Sequence, residues 1–579
     1  VKMSMIRRLY KIAYDHNELV QRTSPEAFTP YTMLGVDAEQ YSALPEREKT
    51  ALKWLVRASD IIDRVALQLD HPYNLDFELF LESRQSFKDI KLTQKLFRGQ
   101  RGIFAHEKSG APVALTNDVE PRLGRGLYPY NLSVDEFHDI LIRMLESGYK
   151  DEEVREILNQ RTIVKRFGDE LKAVDYTNAF KFDFRSAAYA LQAAAANTEN
   201  FDFKEYLTLQ SAALMNYWPW ADCEADKKWA TLQTGPLEFT LGRECYDDAM
   251  TPTVLQNPKL KSMLDARGIT PYAKDNLGAT VGIVDTAGTD YLLKIKQHLP
   301  MMASKMPRAD EYKQVLGTDT KQTMVDVDVV SVSGHNAAYR SQITLAFNLP
   351  NADKLAVQTG GGHRTVYLKQ MRQCKYGNGM DEKINALLAP EFHKYFSVRA
   401  LHDFTILHEN MHTLGPKDDL EALGEYKNII EEHKADAGSI AMLDELVRAG
   451  FFTPHQKQEL ITSWLIAYLY PGANFSRAHA KRNIMQHNML FECGAIRLDS
   501  SNRLVIDFDA VVARGKKMLR DVIDIQLSKN PEMARQYIEK YAVWSPQLEI
   551  LGTKLANVDK QRNSYIVEPL ADMLRRRQK

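Results

Sequence analysis

The segment 401–416, LHDFTILHENMHTLGP, constrains this chain more than any other stretch. Apolar residues at Leu401, Phe404, Leu407, Met411 and Leu414 share one helical face, and Gly415-Pro416 ends the run. Within it lies His408-Glu409-x-x-His412. Side chains four apart stack on one face of a helix, so both imidazoles can reach a single metal ion. Glu409, beside the first histidine, is placed to contact a metal-bound water rather than the metal. A random chain of this length and composition would hold that spacing roughly once in forty, so the motif needs support from elsewhere.

The support comes next along the chain. A long amphipathic helix is expected over 418–449, carrying Glu431-Glu432-His433-Lys434-Ala435-Asp436. Two histidines and one acid from a following helix make a three-ligand catalytic zinc site with an open position, which nominates Glu432. Metal-bound histidines need acceptors on their other ring nitrogens, and Glu431 and Asp436 are candidates. The bland alternative is a solvated charged face formed by Glu431, Glu432 and Lys434.

A length of 579 residues allows two to four domains. The apolar fraction of 44% and charged fraction of 26% fit a soluble globular protein. Lys plus Arg (75) balances Asp plus Glu (76), so no net field favours nucleic acid or an anionic membrane. The basic run Arg575, Arg576, Arg577 and Lys579 reads as a solvated tail. Cys223, Cys245, Cys374 and Cys493 are scattered without C-x-x-C spacing, which argues against a disulfide scaffold and suits a reducing, cytoplasmic compartment. The chain starts at Val1 rather than Met, so a removed signal peptide stays open. No apolar run nears the roughly 20 residues a membrane span needs.

The first 200 or so residues read mainly as helix. One apolar face runs through Leu52, Leu55, Val56, Ile62, Val65 and Ala66, and Ser133-x-x-Glu136 has capping-box form. The Ala-rich stretch Ser186 to Ala196 favours helix. From about residue 323 the pattern becomes strand-like. Val325, Val327 and Val329 alternate with Asp326 and Asp328 as in a half-buried strand, followed by Ile343-x-Leu345-x-Phe347 and Thr365 to Leu368. Gly360-Gly361-Gly362 lacks phosphate-loop spacing and reads as a turn. Helix returns from about 380 to 545. There is no nucleophile elbow and no Walker A sequence.

Taken together, His408-Glu409-x-x-His412 and Glu431-Glu432-x-x-Ala435-Asp436-Ala437-Gly438 resemble the paired motifs of the dipeptidyl peptidase III family, metallopeptidase family M49. His412-Thr-Leu-Gly-Pro416 is similar to the shorter branch, which also occurs fused to Nudix domains; no Nudix box is visible. Ala346-Phe-Asn-Leu-Pro-Asn351, Arg477-Ala-His479, Glu539 to Val543 and Pro546 to Glu549 resemble further family stretches. The likeness is patchy before about residue 230, where Tyr128-Pro-Tyr-Asn-Leu132 is its best echo, and fairly continuous from 325. The five-residue H-E-x-x-H departs from the family's six-residue form.

The resemblance implies one zinc ion per chain on His408, His412 and Glu432, with Glu409 as general base. It implies that His479 and Tyr246 stabilise the transition state, and that Glu244, Asn348 and Asn351 hold the substrate's N-terminal region. The E-x-Y segment has two registers: Glu244-Cys245-Tyr246 matches directly, whereas Glu238 suits the flanking Gly235-Pro236 but puts Thr240 in place of the tyrosine. The implied fold is α+β and predominantly helical. It has two lobes flanking a wide cleft, one a helical zinc lobe and the other mixed around a β-barrel-like core. Residues 1–255, 323–372 and 545–579 would form the mixed lobe, and 256–322 and 373–544 the zinc lobe. The implied activity is release of dipeptides from short peptide substrates. A zinc-retaining peptide-binding relative and a structural helical protein with an accidental motif are the other readings.

Overall fold

A computed structural model describes residues 9–84, 86–106, 112–216, 220–244, 248–314, 322–337, 344–349, 363–473, 478–558 and 563–576. The chain divides into two compact units. The first comprises 1–286, 325–371 and 562–579, the second 287–324 and 372–561.

Unit 1 is organised on one mixed-in-sequence sheet. Its strands are β1 (Leu237–Glu244), β2 (Asn276–Asp285), β3 (Gln322–Gly334), β4 (Ala346–Leu349) and β5 (His363–Leu368). Their spatial order is β1-β2-β3-β5-β4, with β1 and β2 antiparallel from Leu237↔Ile283 to Glu244↔Asn276. Among the described residues the sheet is open, so the expected barrel-like core is corrected to a five-stranded sheet with two free ends. The first division falls at 286 rather than 255 because β2, which begins at 276, belongs to this sheet.

Helix α1 (Glu46–Asp70) packs on β2 and on α2 (Lys181–Asn197). Its expected apolar face is buried from Leu52 to Ala66. Ser133 caps the helix Val134–Glu146 by accepting from the Glu136 backbone N–H, while the Glu136 side chain takes Arg166 instead of closing a capping box. Alternation misled at β3. Asp326 and Asp328 are 3% and 1% exposed, so the strand is buried on both faces rather than half-buried, and Gln370 donates to Asp328 at 2.8 Å. Arg575 is no solvated tail either: on the helix Pro569–Arg576 it pairs with Asp60 at 2.7 Å and Glu568 at 2.8 Å. A parallel pair, Phe28–Thr32 with Asn563–Val567, ties the early and late chain together.

Unit 2 is helical. Its principal elements are α3 (Val398–Met411), α4 (Lys427–Ala441), α5 (Pro454–Ala467), α6 (Ala478–Glu492) and α7 (Phe508–Ser528). Helix α4 is central, packing against α3, α6 and α7, and every residue from His433 to Ala441 is buried. The single long helix expected over 418–449 is broken. A 3-10 segment, Leu420–Tyr426, precedes α4 with a non-helical Gly424 at φ 57°, and Leu443–Arg448 follows it. Pro546–Val558, expected in the mixed lobe, belongs to this unit. No helix among the described residues is long and apolar enough to cross a membrane.

Candidate metal centre

Helix α3 starts at Ser397, whose hydroxyl accepts from the Ala400 N–H at 3.3 Å. Leu401, Phe404, Leu407 and Met411 are buried as the stripe requires, with Phe404 stacked on Trp464 of α5 at 5.7 Å. That anchoring sets the helix phase, and the phase turns His408 and His412 toward α4. Gly415, at φ +93°, reverses the chain in a conformation other residues adopt only with strain. The Leu414 carbonyl thereby accepts from the buried Lys434 ammonium at 2.6 Å.

The two imidazoles stand at right angles, 4.6 Å between centroids, with their Nε2 atoms 3.0 Å apart. Glu432 Oε2 lies 3.3 Å from His408 Nε2. Donor atoms from His408, His412 and Glu432 all fall within 4.8 Å of one another. Two neutral-capable nitrogens and one carboxylate oxygen at this separation suit a divalent cation of zinc type.

Each imidazole is aimed from behind. His408 Nδ1 meets Asp436 Oδ1 at 2.7 Å and His412 Nδ1 meets Glu431 Oε1 at 3.1 Å. Those carboxylates are held in turn by parallel devices. Asp436 Oδ2 accepts from Gln486 Nε2 at 3.1 Å and forms an ion pair with Arg482, whose Nε lies 2.9 Å away. Glu431 takes the Lys434 ammonium at 2.8 Å and Gln526 Nε2 at 2.8 Å. A carboxylate behind each histidine fixes the ring nitrogen that faces forward and raises its basicity toward a metal.

The electrostatics follow the same pattern. Burial alone would raise the Asp436, Glu431 and Glu432 carboxyls. It is overcome by Arg482 at Asp436, by Lys434 at Glu431 and by His408 and His479 at Glu432, so all three are held below the usual range. Burial lowers His408, but the hydrogen bond to Asp436, with Glu432, outweighs it and lifts the ring to about 10. The carboxylates therefore concentrate negative charge around the two rings, and a cation bound there would displace the proton from His408.

Glu409 follows His408 on α3; it is half-buried, and its side chain makes no hydrogen bond or ion pair to a described residue. His479, in the first turn of α6, is 67% exposed with Nδ1 3.4 Å from Glu432 Oε2. Tyr246 and Asn351 lie outside the described residues, as do the side chains of Glu244, at the end of β1, and Asn348, in β4. The turn 360–362 and Arg477 lie outside them too. Glu238, the acid of the second register, is 0% exposed. Its Oε2 pairs with Arg364 at 2.5 Å, and its Oε1 accepts from Trp229 Nε1 and Thr240 Oγ1 at 2.9 Å. It is built into the interior of unit 1.

Sequence reasoning missed Lys434, Arg482, Gln486 and Gln526. Lys434 is 0% and Arg482 5% exposed although both stand in charged stretches that read as surface. The available signal was spacing: Lys434 lies three residues after Glu431, and His479, Arg482 and Gln486 recur at helical intervals.

No protein-family model matches the chain. Nudix hydrolase 3 of Arabidopsis thaliana is 21% identical over 415 residues, 69% of this chain and 49% of that protein. The chain thus spans about half the length of that curated relative. Among solved structures, DPP III from Caldithrix abyssi matches with a TM-score of 0.78 at 22% identity, covering 96% of this chain and 100% of that one. Dipeptidyl-peptidase III from Corallococcus sp. strain EGB matches with a TM-score of 0.69 at 22% identity, covering 96% and 98%. The chain has the fold of these two proteins.

Proposed function

We propose that this chain is a zinc-dependent metallopeptidase that releases dipeptides from the free N-terminus of short peptides. The observation that carries the reading is the convergence of His408, His412 and Glu432 within 4.8 Å, with a carboxylate behind each imidazole. The fold shared with two dipeptidyl-peptidase III structures supports the choice of peptides as substrate.

His408, His412 and Glu432 would hold the zinc, which when bound would lower the pKa of a water toward about 7 and act as a Lewis acid for the scissile carbonyl. Glu409 accepts the proton of the attacking water and delivers it to the departing amine nitrogen, a general-acid–base contribution of about 10²–10⁴ in rate. Its freedom from other partners suits a group that must bind and release a proton. His479 and Tyr246 donate to the oxygen on which negative charge develops, each worth about 10²–10³. Glu244, Asn348 and Asn351 bind the substrate's ammonium end, which sets the cut a fixed distance in.

The test uses the whole chain. Metal analysis should find one zinc per chain, and Glu409→Gln should keep it while losing hydrolysis. A peptide with a free N-terminus should be cut and its acetylated form left intact. Absence of stoichiometric metal, or wild-type protein no faster than Glu409→Gln, would overturn the reading.

A further inference from the structure

Arg482 joins two carboxylates that do different jobs. Its Nη1 meets Glu432 Oε2 at 3.0 Å, and its Nε meets Asp436 Oδ2 at 2.9 Å. Its side chain is 6% exposed, its guanidinium lies 5.0 Å over the Tyr468 ring, and Asn483 Oδ1 takes further bonds from Nε and Nη2 at 3.1 and 3.0 Å. So one end of a rigid planar fork donates to the acid of the candidate metal centre, while its Nε edge, pinned by Asn483, stands as an ion pair against the acid that aims His408.

Charge neutralisation is only part of the account of this residue. Asp436 already receives His408 and Gln486. A fixed cation touching a ligand opposes the binding of a second cation, because like charges at such range repel by several kcal/mol at an effective dielectric of about 20. A site selected for affinity alone would do better with a neutral donor there. What a guanidinium adds is geometry, since its donors sit at fixed angles and a carboxylate bound to it cannot turn freely.

We infer that Arg482 is a positioning residue: by holding Glu432 Oε2 and Asp436 in one frame, it makes Glu432 a one-oxygen ligand and keeps the fourth metal position open. The inference rests on the metal-site reading above. Freed of Arg482, the Glu432 carboxylate can rotate and offer both oxygens, filling the place the water needs.

The test is cobalt(II) substitution, read by the visible absorption that reports coordination number, with no need for catalysis. Wild-type protein should give the intense spectrum of four-coordinate cobalt. Arg482→Met and Arg482→Lys should both bind cobalt yet give the weaker spectrum of higher coordination, because a lysine restores the charge without the fork. Hydrolysis should fall about 10–100-fold in kcat with KM little changed. Gln486→Met, which removes another partner of Asp436 and leaves Glu432 alone, should keep the wild-type spectrum. If Arg482→Met does not fold, Arg482→Lys decides. A wild-type spectrum from Arg482→Lys overturns the inference while leaving the metal site standing; wild-type protein that takes up no cobalt overturns both.

Discussion

Gly438 and Met411 lock together the two helices that carry the candidate metal ligands: a Cβ added to Gly438 would stand 2.1 Å from Met411 Cε, 3.2 Å from Sδ and 3.3 Å from Cγ. Met411 is 0% exposed and immediately precedes His412, so its terminal methyl would have to turn within a closed core. Gly438→Ala should cost about 1–3 kcal/mol through overpacking and weaken metal binding by pushing α3 from α4. Denaturant unfolding and chelator competition check both effects. Trimming the methionine in Gly438→Ala/Met411→Ala should restore metal affinity relative to the single variant; no recovery would refute the contact as the cause.

The carboxylates behind the imidazoles should govern metal affinity without touching the metal. Asp436→Asn and Glu431→Gln keep shape and remove charge, and each should weaken zinc binding about 10–100-fold. Competition against a chromophoric chelator measures this directly. Affinities equal to wild type would show that the rings are oriented by packing alone.

Glu238 and Glu244 should separate cleanly. The Glu238–Arg364 pair is 0% and 3% exposed, and breaking a buried pair by removing one partner costs about 3–5 kcal/mol. Arg364→Met should therefore lower unit 1 stability by that order. Glu244→Gln should leave unfolding unchanged and raise KM for peptides with a free N-terminus. The reverse pattern would return the substrate role to Glu238.

His71 should give unit 1 an acid-sensitive stability. Its Nδ1 accepts from the Tyr73 N–H at 3.2 Å, which leaves Nε2–H to donate to the Glu120 carbonyl at 3.3 Å. Burial drives the ring from 6.5 down to about 4, against smaller opposing effects of the Glu120 carbonyl and Asp70. Between those values the unfolded chain binds more protons than the folded one, so stability falls as pH drops from about 6.5 to 4 and levels off below. The total loss is up to about 3 kcal/mol. His71→Gln should flatten that part of the profile in denaturant titrations from pH 4 to 7. A profile unchanged by the substitution would assign the acid lability elsewhere.

The parts of this architecture legible in the sequence are those set by local periodicity. The stripe through Leu401, Phe404, Leu407 and Met411 predicts α3, its phase and the side on which both histidines lie, because all the information sits within four turns. Leu52 to Ala66 does the same for α1. Glu431 and Asp436 were legible because helical spacing around Glu432 limits what can stand behind each imidazole. Gln486 and Gln526 were not, since they reach the carboxylates from helices 50 and 95 residues away. Arg482 and Lys434 were hidden for another reason: a charged side chain inside a protein looks in sequence like one outside it until its partner is known. Asp326 and Asp328 repeat the lesson in β3, where alternation reports polarity and not exposure.

The arrangement of contributors along α6 bears on which changes the protein can absorb. His479, Arg482 and Gln486 form one column, and Glu431, Glu432 and Asp436 sit on neighbouring turns of α4, so the centre is written in rotational phase. Deleting one residue inside either helix swings everything beyond it by about 100°, scattering the column at once. Lengthening the connection between Met411 and Lys427 leaves both phases intact. Divergence in this protein should therefore accumulate as insertions between helices and substitutions upon them, with single-residue gaps within α4 or α6 selected against even where no contacting side chain is lost.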